Sequence, residues 1–346
     1  ERWQTPADRR SAADIHAAVL ERFDPEYKLE TPQRMLWAHR AASLYFRLAD
    51  FKNAQKWNDA MIVAESERPG PHWELPWLYE NQALIFRDRR EPLQELEAAR
   101  KSMSALKDLD ALDDPERNPG MTAGIYETLG RAYSDCGKIL LREESPETKE
   151  KIIALTCRTD KIAFGAEQER WAGRTEKRDY DERQKVCYEY AARTRERRFT
   201  FHTSDTFRSY INLAHCAGVR GEAEPELLER EAARQLRYSQ RGLDISERCS
   251  TGAYSNMGFA YAALGDYENE RKAFETLLER RRQNSKKGDS RLYELQALLY
   301  LIQACKHQKD YEKASELYEE VKEIVNQLGM QKSFAQSLEE AGRGIP

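Results

Sequence analysis

Helix-breaking residues are scarce in this 346-residue chain, which has only 12 prolines and 17 glycines. Long strand-like runs of Val, Ile and Thr are missing, which removes the material of a sheet-based fold. Ala, Leu, Glu, Arg, Lys and Gln, the good helix formers, dominate instead. No run of 18 or more apolar residues occurs, so no segment reads as a membrane-spanning helix. Excess charge of one sign is lacking too: 56 Lys and Arg stand against 60 Asp and Glu, a net charge of -4. That balance argues against a general nucleic-acid coat and leaves room only for a local basic patch.

Cysteine is sparse and unpatterned. The six are Cys136, Cys157, Cys187, Cys216, Cys249 and Cys305. None forms C-x-x-C and none stands beside a histidine at zinc-ligand spacing, so no metal site is expected. Several fall on apolar helix faces, and free, reduced thiols in a cytoplasmic protein are the reading. The chain begins with Glu1 rather than Met. Trimming or removal of a leader explains that equally, and a secreted or periplasmic location after leader removal stays open.

Hydrophobic residues make up 40% of the chain and charged residues 34%. Such a balance suits two globular domains or one elongated array with a large charged surface. The stretch Tyr254–Leu278 favours the array. Tyr254, Met257, Tyr261 and Leu264 recur at helical steps, and Gly258 and Ala260 leave space for a neighbouring helix. Gly265 fits a helix stop and Asp266 a helix cap, so a second helix starts near Tyr267. The design repeats 44 residues later at Leu298, Leu301, Ile302, Cys305, Asp310-Tyr311, Ala314, Tyr318 and Val321. It recurs upstream at Tyr126, Leu129, Gly130 and Tyr133, and at Ala41-Ala42, Tyr45, Asp50-Phe51, Ala54 and Met61. Weaker copies lie at Tyr79-Ala83-Phe86 and Tyr210-Leu213-Ala214.

These residues resemble the tetratricopeptide repeat. Tyr126, Leu129, Gly130 and Tyr133 match the first helix of that motif, and Tyr254 through Phe274 matches both helices. The resemblance runs over roughly residues 35–328 and implies an all-α, right-handed superhelical solenoid of about six to seven helical hairpins. Equivalent positions lie 41, 47, 84, 44 and 44 residues apart, against a usual period of about 34. The interval of 84 suggests a further degenerate hairpin near 146–200, either a long irregular pair or an insertion. Residues 1–34 read as an N-terminal capping helix and 329–346 as a C-terminal capping helix and tail, because terminal repeats otherwise expose an apolar face.

No catalytic motif is present, and the six histidines are scattered. A His202–Cys216 pairing is weaker than placing one in a loop and the other in a core. Neither a catalytic residue nor a cofactor is expected. Trp73 and Trp77 read as packing for the linker between two hairpins. The expected function is a non-catalytic scaffold holding a peptide or protein partner on the inner faces of the first helices. Helix phase selects Arg47, Arg87, Arg131, Asp135, Phe259 and Gln303 for that face. The inner residues do not form the lysine-asparagine set by which relatives hold chaperone tails. Two other readings are a regulatory or sensor module of a larger protein and an RNA-binding repeat protein. The latter would use a basic patch at Arg193, Arg195, Arg197, Arg198, Arg280, Arg281 and Arg282. Glu270 is unexpected, since it occupies the position of Ala54 and Ala314. A slight helix rotation that buries Ala273 and Phe274 in its stead is the expected solution.

Overall fold

The computed structural model describes residues 6–23, 31–109, 119–142, 145–198, 204–223, 225–245, 251–285, 291–327 and 331–345. Its regular elements are all helical among the described residues. They form two compact units, residues 1–198 and 199–346. The sequence pattern drew one array over 35–328 and marked no boundary at 198. Among the described residues, no helix is long and apolar enough to cross a membrane.

In the first unit, α1 (Pro6–Ala18) packs on α2 (Thr31–Arg47), which pairs with α3 (Phe51–Ser66). Next come α4 (Leu75–Asp88) with α5 (Pro92–Asp108), then α6 (Pro119–Leu141), α7 (Pro146–Ala163) and α8 (Lys177–Arg198). The partner of α6 is α8, and α7 packs mainly against α5. The long interval is therefore an insertion, α7 plus a 3-10 segment at Gly165–Trp171, inside one hairpin. No additional hairpin lies there among the described residues.

The second unit pairs α9 (Ser204–Ala223) with α10 (Leu228–Ile245), α11 (Thr251–Ala263) with α12 (Tyr267–Ser285), and α13 (Arg291–His307) with α14 (Tyr311–Gln327). Helix α15 (Gln331–Gly342) covers α13 and α14. Among the described residues these pairings give three hairpins in each unit, six altogether.

Four of the six hairpins share one turn. A residue with positive φ (Ala49 at 56°, Arg90 at 62°, Gly265 at 72°, Lys309 at 61°) precedes an acidic residue that opens the second helix. The backbone N–H of that acid reaches back five residues, from Asp50 to Tyr45, Glu91 to Phe86, Asp266 to Tyr261 and Asp310 to Cys305, each at 2.9 Å. This bond satisfies a carbonyl that the end of the first helix leaves free. The Asp50, Asp266 and Asp310 carboxylates then accept from backbone N–H groups three residues on, at 3.3, 3.2 and 3.1 Å.

Small residues set how closely each pair packs. A Cβ on Gly258 would overlap the Phe274 ring, and one on Gly130 would sit 3.2 Å from the Gln184 carbonyl oxygen of α8. The insertion is fastened by charge. Arg183 is buried and grips Asp160 through Nε and Nη2 at 2.8–3.1 Å, while donating to the Trp171 and Arg174 carbonyls. Tyr133 of α6 donates to Asp160 at 2.7 Å, and the Trp171 ring lies 4.9 Å from the Arg183 guanidinium. These bonds tie the buried pair to α6, to the 3-10 segment and to the loop at Arg174, which makes it costly to break.

Glu270 corrects the rotation expected at α12. It is only 2% exposed, although Ala273 and Phe274 are buried as well. His307 of α13 meets its carboxylate through Nδ1 at 2.9 and 3.1 Å. A neighbouring repeat thus supplies the partner that a buried carboxylate needs.

Candidate functional site

The six residues selected by helix phase all lie on the first helices of their hairpins, at different depths. In the first unit, Arg47 is exposed at the end of α2. Arg87 on α4 is half-buried and pairs with Asp88 at 2.7 Å. Arg131 and Asp135 sit one turn apart on α6, where Asp135 holds Lys138 at 2.6 Å. Arg131 donates to Thr128 Oγ1 at 3.1 Å, and Thr128 donates onward to Glu80 at 3.2 Å. Burial raises the Glu80 carboxyl above its ordinary value, against the Thr128 hydrogen bond and the nearby Arg131 charge. Gly124 makes room for that carboxylate: a Cβ there would lie 3.1 Å from Glu80 Oε1.

Beneath this face lies a group that helix phase did not select. Glu95 of α5 is 1% exposed, and its Oε1 is buried without a hydrogen-bond partner among the described residues. Burial, reinforced by Asp135, pushes its carboxyl up to about 8, and Arg87, Arg131 and Lys138 only partly oppose that. Arg87, Arg131 and Asp135 are thus brought together around one buried acid. Between α2 and α4 the same face carries a small cavity of about 110 Å³ lined by His39, Ser43, Trp77 and Asn81 among others. The Trp77 and His39 rings are 4.9 Å apart there, so Trp77 packs as expected, and burial lowers the His39 imidazole.

The face of the second unit is aromatic. Phe259 of α11 is 40% exposed. Its ring meets Tyr300 of α13 at 4.9 Å and Phe274 of α12 at 5.5 Å, both edge to face. Gln303 lies one turn beyond Tyr300, half-buried. Farther along the same helix is His307, which holds Glu270 and stacks near Tyr267 at 5.0 Å. Phe259 is thus an exposed ring held by two others, and Gln303 follows one of them by a helical turn.

The basic patch does not assemble as drawn. Arg195 is 6% exposed and bonded to Glu127 at 2.5 Å, because α8 turns it toward α6 rather than toward solvent. Glu127 is buried with it. Arg193 is exposed near Glu189. The side chains of Arg197 and Arg198 lie outside the described residues, as do His202 and Cys249. Arg280 lies over Tyr254 and Arg281 over Tyr293, at 5.6 and 4.5 Å. Arg282 pairs with Glu294 and Glu320. The five described cysteines are free thiols, and the described residues contain no cluster of three or more His, Cys, Asp or Glu that fits a metal ion.

A family profile described as the tetratricopeptide repeat matches residues 251–284, which form α11 and nearly all of α12. No curated protein sequence matches the chain. Among solved structures, BtubC (BKLC) from P. vanneervenii is similar at 13% identity and a TM-score of 0.48, over 82% of this chain and 92% of that one. The hairpin turn, the Gly258–Phe274 contact and the profile match coincide, and the chain contains a tetratricopeptide repeat at residues 251–284.

Proposed function

We propose that this protein is a non-catalytic interaction scaffold that binds a peptide or protein segment on its first-helix faces. The observation that carries the reading is Phe259, a large aromatic kept 40% exposed on the matched repeat. Two neighbouring rings fix its orientation. A pre-positioned ring loses little freedom when a ligand covers it, so its burial converts efficiently into affinity. Gln303, and Ser255 one turn before Phe259 on α11, supply the polar contacts that orient a peptide backbone. Repeats of this type ordinarily act without catalysis, which agrees with the absence of catalytic motifs from the sequence.

Selection of peptides from a displayed random library against the whole protein tests the reading. Affinities of the enriched peptides are then compared between the wild type and Phe259→Ser. At least a tenfold loss with an unchanged melting temperature is expected. Equal affinity for both proteins would remove the face around Phe259 from the binding site. The RNA-binding alternative has little support, since Arg195 and Arg282 are already engaged by acids within the fold.

A further inference from the structure

A second groove lies away from the first-helix faces, where the inserted helix α7 runs beside α5 and the end of α4. It encloses about 510 Å³, within the range of ligand sites. Its floor is apolar, built from Phe86, Leu93, Ala98 and Leu155. Its rim is cationic on both walls, with Lys101 on α5 and Lys151 and Arg158 on α7, all exposed. The acid in the groove, Glu97, is bound by Arg100 at 2.7 Å, with the Lys101 and Arg158 charges acting on it more weakly. Asp59, close enough to influence Lys101, is bonded by Gln82 at 2.7 Å. Lys101 and Arg158 have no ion pair among the described residues. Among the described residues Lys151 is bound only to Glu147, in an exposed pair that an incoming carboxylate can replace at little cost.

We infer that this groove is a second binding site, for an acidic amphipathic peptide whose apolar side chains fill the floor and whose carboxylates meet Lys101, Lys151 and Arg158. The spacing favours a peptide over a small amphiphile. Lys151 and Arg158 are seven residues apart on one helix, about 10 Å, and Lys101 stands on the opposite wall. A single headgroup cannot reach all three, whereas a peptide with several Asp or Glu residues around an apolar stripe can. The insertion itself provides one wall, so the groove is a product of the departure from the simple repeat.

The test uses the full chain and a displayed random-peptide library, counter-selected on Lys101→Glu/Arg158→Glu. Both positions are exposed, so folding is expected to survive, and thermal unfolding checks it. Enriched peptides should carry Asp or Glu around apolar residues and weaken as salt rises. They should lose at least tenfold in affinity on the double variant and on Ala154→Trp, which fills the groove. They should bind Phe259→Ser as well as the wild type, which separates this site from the first-helix faces. Neutral or basic consensus peptides, or equal binding to the charge-reversed protein, would overturn the inference. Charge-dependent binding of dodecanoate with no acidic peptide enriched would overturn it as well, and assign the groove to a lipid carboxylate.

Discussion

At the scale of single residues, two buried glutamates show what repetition permits. Ala54, Glu95, Glu270 and Ala314 occupy one position, each donating its backbone N–H to the residue that opens the second helix. The alanine copies fill the close contact and the glutamate copies place a carboxyl in it. Glu270 has His307, and the corresponding residue facing Glu95 is Asp135, an acid. Opposite partners at one position yield opposite predictions. Glu95 keeps its proton up to about pH 8 in the folded state. The unfolded chain releases that proton near the ordinary value of 4.5. The stability contributed by protonated Glu95 is therefore complete below 4.5 and declines as pH rises to about 8. The slope is at most about 1.4 kcal/mol per pH unit, and no further loss follows above that window. Glu95→Gln should flatten this decline, and urea unfolding between pH 4 and 9 measures it. For Glu270, removing the partner should matter more than removing the pair. His307→Ala should cost about 1–3 kcal/mol, and Glu270→Ala in the same chain, which restores the residue found in sister repeats, should recover much of it. A double-mutant cycle of unfolding free energies reads that coupling.

At the scale of helices, the recurring unit is a turn as much as a packing motif. Gly265 adopts positive φ without strain, whereas Ala49, Arg90 and Lys309 adopt it against a steric penalty. Lys309→Gly should be neutral to stabilising, while Gly265→Ala should cost about 1 kcal/mol or more; thermal unfolding of the two variants checks the contrast. This explains what was legible. The hairpin at Gly265-Asp266 was readable because glycine signals a turn, and the turn at Lys309-Asp310 was readable through its aspartate. The segment 146–200 was not, since its organisation rests on Arg183 reaching Asp160, 23 residues away. Nothing in local periodicity marks a buried arginine, and an arginine in a charged helix ordinarily faces solvent. Arg195 was misplaced for the same reason. Gly258→Ala, which drives a methyl group into the Phe274 ring, should destabilise by about 1–3 kcal/mol. Its effect on urea midpoints tests whether the α11–α12 approach is as tight as it stands here.

At the scale of the molecule, helical composition and the repeat motif were enough to read an all-α repeat fold, and the matched hairpin supports that reading. The division at residue 198 was not readable, because the array motif runs on both sides of it. Helix phase selected Phe259 and Gln303 for the proposed binding face. It did not distinguish them from Arg131, whose Nε is buried within its own unit. The candidate face is consequently better founded around Phe259 than around the arginines.

Photo-crosslinking tests the central claim most directly. Phe259→p-benzoylphenylalanine, irradiated with a peptide selected on the wild type, should attach that peptide covalently, with the adduct mapped to position 259 by mass spectrometry. The same group at Lys322, whose side chain is 43% exposed on the second helix α14, should attach none. Crosslinking at 322 but not at 259 would contradict a scaffold that binds through its first-helix face.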